Sequence, residues 1–116
     1  MEDKHVFMPL VDIIEMERSF ELYADMPGID SQKLNESLSV EMENGILNIS
    51  GIISNGSKQL KSSQNEFFRG EFHRNIKFDE NLISSDITGK YSNGVLHITL
   101  PKKKEEKQKV AIKSFA

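Results

Sequence analysis

The chain has 116 residues, 37% hydrophobic and 28% charged, with a formal net charge of −3 and no cysteine. That is one domain with apolar material for one core. It excludes a disulfide framework, a thiolate nucleophile and a cysteine-held metal, and its acidic balance argues against nucleic acid, whose phosphates need a basic surface.

The apolar runs, such as Val6-Phe7-Met8, are three or four residues long, far short of the roughly twenty a spanning helix needs. No charged stretch precedes an apolar one as in a secretory leader. The expectation is an intracellular protein with no membrane contact.

In chain order, Met1–Met8 reads as a short arm ahead of the domain. Val11–Glu15 is short and apolar and reads as an edge strand. Phe20, Leu22 and Ala24 alternate with Glu21, Tyr23 and Asp25, the period of two that marks a strand with one buried face. Asp30–Asn35 suits a single helical turn capped by Asp30. Leu38, Val40 and Met42 share a face, Asn44-Gly45 follows, and Leu47 and Ile49 share the next. Asn-Gly between alternating apolar residues is a strong hairpin signal, because both residues tolerate positive φ.

Ser54–Asn65 is a polar loop, long for a compact domain and so a candidate for function. Phe72, Arg74, Ile76 and Phe78 then alternate with His73, Asn75 and Lys77. Ile87–Ser92, Asn93-Gly94 and Val95–Leu100 form a second hairpin, with Leu96, Ile98 and Leu100 inward and His97 outward. Pro101 is expected to end it, since proline cannot continue the ladder. Lys102–Lys109 is a mixed-charge run with nothing to bury, and Val110-Ala111-Ile112 stands alone beyond it. Many short strands without a sustained helical period predict an all-β sandwich or small barrel.

These landmarks resemble the small heat-shock proteins and their α-crystallin domain. Asp25-Met26-Pro27-Gly28 is similar to the family's corner after an early strand. Leu47-Asn48-Ile49-Ser50-Gly51 resembles its Leu-x-Ile-x-Gly strand end. Glu66 with Gly70-Glu71-Phe72-His73-Arg74 resembles its Glu-x-x-x-Gly-x-Phe-x-Arg strand. Gly94-Val95-Leu96, closing at Leu100-Pro101, resembles its Gly-Val-Leu signature, and Val110-Ala111-Ile112 its C-terminal anchor.

The likeness runs from Pro9 to Ile112, with departures. Gly89 stands where the family usually has alanine, Phe78-Asp79 where it has Leu-Pro, and Phe67 where an arginine often follows the glutamate. The stretch before the domain is also far shorter than the family's usual apolar-rich arm.

The resemblance implies an immunoglobulin-like β-sandwich of antiparallel strands over 9–101. It also implies a strand-exchange loop at 54–69, a short arm at 1–8 and an extended tail at 102–116. It implies an ATP-independent holdase in the cytoplasm, with no enzymatic activity and no cofactor. Its partners would be partly unfolded client proteins and copies of itself, as a homodimer and a higher homo-oligomer. Val110 and Ile112 would fill a neighbour's groove between the strands around Leu38–Met42 and Ile87–Tyr91, touching Leu38, Val40, Met42, Ile87 and Tyr91. At spacing i, i+2 the two anchor residues point the same way in an extended chain. The tether Lys102–Lys109 reaches at most about 28 Å. The alternative is that the triplet is the last strand of its own domain.

The long loop would exchange between protomers, with Phe67 and Phe68 against Val11 and Ile13 and with Arg74 supporting the dimer. Otherwise it is a loop of a monomer, and Arg74 a rim residue with a packed stem and a wet head.

Other motifs carry less. His5, His73 and His97 show no metal-ligand spacing, and neither a Gly-x-Ser-x-Gly elbow nor a phosphate loop occurs. The Asn-x-Ser triplets lack a secretory context, and Glu105 and Glu106 offset the lysines of Lys102–Lys104. Two rival functions stay open: a short-armed dimeric module that co-assembles with longer relatives, and a co-chaperone of the CS-domain kind.

Overall fold

The computed structural model describes residues 3–54, 68–104 and 109–114. It contains eight strands: β1 (Asp3–Phe7), β2 (Val11–Glu15), β3 (Ser19–Asp25), β4 (Leu38–Glu43), β5 (Ile46–Ser54), β6 (Phe68–Lys77), β7 (Thr88–Ser92) and β8 (Val95–Pro101). Two four-stranded sheets result, in the orders β1-β6-β5-β4 and β2-β3-β8-β7. The expected β-sandwich is present.

Local chemistry accounts for the hairpins. Asn44 and Gly45 have φ of 53° and 79°, Asn93 and Gly94 φ of 51° and 82°. Positive φ at both central residues gives the turn whose twist matches that of the flanking strands. The turns set the registers Glu43↔Ile46 and Ser92↔Val95. Because side chains alternate across a strand, each register also decides which residues face inward.

Leu22, Ala24, Leu96, Ile98 and Leu100 of one sheet accordingly meet Leu47, Ile49 and Phe72 of the other in a single buried cluster. Each fully buried Leu or Ile stabilises by about 1.5–3 kcal/mol. Between β3 and β4 the chain makes a 3₁₀ turn, Ser31–Lys33, and one helical turn α1, Leu34–Ser37. The Asp30 carboxylate caps this segment by accepting from the Gln32 amide at 2.9 Å.

Two features differ from the sequence reading. Pro101 is the last residue of β8, paired with Ser19. It lacks an N–H, but the Lys102 amide donates to the Arg18 carbonyl at 2.8 Å, so the pairing with β3 continues past it. Residues 3–7 form β1, which pairs parallel to β6 from Asp3↔Phe68 to Phe7↔Phe72. The stretch read as an arm is thus part of a sheet.

From β1 the chain crosses to the other sheet through Met8-Pro9-Leu10. Pro9 is fully buried, and its carbonyl accepts from Arg74 Nη1 at 3.0 Å. The next residue's carbonyl, that of Leu10, accepts from the Asp25 amide at 2.9 Å.

Candidate functional site

Strands β4 and β7 are edges of different sheets, and between them lies a cavity of about 210 Å³. β4 contributes Val40 and Met42, and β5 Leu47. Ile87 leads into β7, which contributes Thr88 and Gly89, and β8 supplies Ile98. The alternation of β4 explains the wall: Val40 and Met42 are half-buried, with Ser39, Glu41 and Glu43 exposed between them. The volume is below the 300–1,000 Å³ usual for small-molecule pockets and is of side-chain scale.

A Cβ at Gly89 would meet the His97 carbonyl at 3.6 Å and Ile98 Cγ1 at 3.7 Å. These are ordinary contacts, so the alanine usual in the family would fit, and glycine leaves this part of the groove wider.

Of the residues read from sequence, the structure brings Val40, Met42 and Ile87 together. Leu38 packs on the core and borders a separate cleft with Glu36, Ser50 and Glu71. Tyr91 packs on the core too, its hydroxyl donating to the Met26 carbonyl at 2.7 Å. Neither lines the groove. Leu47, Thr88, Gly89 and Ile98 were not anticipated there. The registers Met42↔Leu47 and Gly89↔Ile98 put them beside the expected residues.

Val110 and Ile112 are 75% and 92% exposed, in a stretch without regular structure. They do not fill the groove of their own chain.

At the opposite edge, β2 pairs with β3 on one side only. Val11 packs partly on the core, and Ile13 is 43% exposed. Phe67 lies outside the described residues, as do the loop positions 55–66 and the tether positions 105–108, and Phe68 is placed as the first residue of β6. Arg74 lies half-buried opposite Ile49 and donates to Pro9.

The outer face of the β3–β8 pair carries a polar cluster that no local pattern groups. The register sets Glu21 beside Thr99 and Tyr23 beside His97. Glu21 accepts from the Ser19 hydroxyl, from Thr99 Oγ1 at 2.8 Å and from His97 Nε2 at 2.7 Å. The Tyr23 ring stacks on His97 at 4.4 Å.

The hydrogen bonds from Ser19, Thr99 and His97 hold the Glu21 carboxyl below its ordinary 4.5. A carboxyl depressed in the folded state stabilises the fold above its unfolded pKa, and that contribution is lost as pH falls through the folded value. The melting temperature should therefore fall more steeply below pH 4.5 in the intact chain than in Glu21→Gln. Equal slopes in thermal melts at several pH values would contradict this role. Among the described residues no group of three or more His, Asp or Glu could hold a metal, and no helix is long and apolar enough to cross a membrane.

Two packed sheets with an apolar groove between edge strands define an α-crystallin-type β-sandwich. The chain belongs to the Hsp20/alpha crystallin family, whose family model matches residues 12–113. It is 34% identical over 113 residues to the "Probable 15 kDa heat shock protein" of Leptospira interrogans, covering 97% of this chain and 84% of that one. It is also 34% identical to the "17.8 kDa class I heat shock protein" of Arabidopsis thaliana, covering 90% and 66%.

Among solved structures, the small heat-shock protein of Xylella fastidiosa superposes with a TM-score of 0.68 at 33% identity, covering 93% of this chain and 98% of that one. The hspA of Xanthomonas axonopodis does so at 0.64 and 37% identity, covering 84% and 95%.

Proposed function

We propose that this chain is a cytoplasmic, ATP-independent holdase that covers apolar segments of partly unfolded proteins, and that it assembles through its own tails. The open apolar groove between β4 and β7 carries this reading. A free strand edge is a template for another strand. Here two such edges flank apolar walls.

The exposed Val110 and Ile112 are the matching ligand for a neighbour's groove. Burying both side chains contributes about 3–6 kcal/mol before ordering costs. One contact of that size is weak and reversible, and several in one assembly add through effective concentration. The dimer beneath that assembly is proposed to form by exchange of the loop between β5 and β6, with Phe67 laid against Val11 and Ile13 of the second copy and Arg74 supporting the junction, while Phe68 stays in β6 as the partner of Asp3.

Light scattering of a heat-labile enzyme, warmed with a near-equimolar amount of the chain and no nucleotide, tests the function. The holdase reading expects scattering to stay low. High scattering, together with subunit exchange into a longer-armed relative, would favour the co-assembling module instead.

A further inference from the structure

The pairing of β1 with β6 is the one parallel pair among the described strands. It spans five residues at a sheet edge, and parallel pairing is slightly less stable per residue than antiparallel. Val6 is 64% exposed, and Phe7 is 40% exposed with its ring 6.0 Å from that of Phe72.

Everything around β1 is held more firmly. β6 is paired with β5 on its other side from Ile46↔Lys77 to Ser54↔Arg69. The chain just after β1 is fixed by the buried Pro9 and its bond from Arg74. Lifting β1 about Met8 would therefore leave the sandwich closed and β2 in place. It would open the β6 edge over 68–72, up to Phe72.

We infer that the β6 edge is a second strand-docking site, occupied within the chain by β1 and able to take an extended apolar segment of an unfolded polypeptide in its place. The class of partner rests on the holdase reading. The geometry of the edge does not. The seated β1 shows what the site accepts: an extended backbone with an aromatic side chain laid beside Phe72. An incoming segment with more apolar residues than β1 buries more apolar surface along this edge. The apparent affinity is then set by the fraction of chains whose β1 is lifted.

The absence of native cysteine makes the test clean. Val6 and Glu71 are register partners, so Val6→Cys/Glu71→Cys staples β1 down when oxidised and frees it when reduced. The probe is a fluorescent peptide with the sequence of residues 3–10, followed by anisotropy on the full chain.

We expect binding to the reduced double variant at least tenfold tighter than to the oxidised one, whose residual binding is that of the β4–β7 groove. We expect binding about five- to tenfold tighter to Phe7→Ala, in which the competing strand is weakened. Equal binding to the stapled and reduced forms would overturn the inference, as would no gain in Phe7→Ala or no binding to any form. Comparing stapled and reduced forms of one variant separates docking from misfolding. A chain that binds the peptide yet fails to restrain client aggregation would count against the holdase reading alone.

Discussion

Arg74→Gly should lower the melting temperature by about 8–32 °C. The guanidinium is half-buried and donates to the Pro9 carbonyl, 65 residues away in sequence. A hydrogen bond from a charged group contributes about 1.5–3 kcal/mol, and glycine within a strand adds a backbone entropy cost of roughly 0.5–1 kcal/mol. For a domain of this size each kcal/mol shifts the midpoint by about 4–8 °C.

Arg74→Met, which keeps the packed stem, should recover the part of the loss due to backbone and packing. Sedimentation adds the proposed dimer role: weakened association in Arg74→Gly supports it. Unchanged melting and unchanged sedimentation together would refute both the clamp on Pro9 and the support of the dimer.

Val40→Asp should abolish assembly beyond the dimer while leaving the fold intact. Val40 is half-buried on an edge strand and lines the groove with Met42 and Ile87. In the free chain the carboxylate reaches water, so the loss of stability is about 1–2 kcal/mol. A docked aliphatic side chain would strip that water, and an unpaired buried charge costs several kcal/mol, comparable to the whole proposed gain from Val110 and Ile112. Sedimentation velocity beside circular dichroism checks both halves. A folded variant that assembles like the parent would exclude the groove as the docking site.

Most of the sandwich was legible because its determinants are local. Asn44-Gly45 and Asn93-Gly94 fix two registers, and strict alternation around Leu22, Leu47, Phe72 and Ile98 fixes which faces are buried. β1 was not legible. Asp3-Lys4-His5-Val6-Phe7 has too few apolar residues to show a period, and its partner lies beyond the long loop.

The contacts of Arg74 with Pro9 and of Tyr91 with Met26 each span 65 residues, and no local pattern encodes them. Tyr91 is drawn onto the core by that hydroxyl bond, so it does not line the groove. Ile98 and Leu47 were read as core residues, and their second role at the groove follows only once two sheet edges are set side by side.

The most direct measurement is sedimentation velocity of the intact chain beside Val110→Ala/Ile112→Ala. Both residues stand in solvent, so the variant changes docking without disturbing the sandwich. Tail docking makes the intact chain larger than a dimer and lets the variant fall to a dimer. Two species of equal size would contradict it.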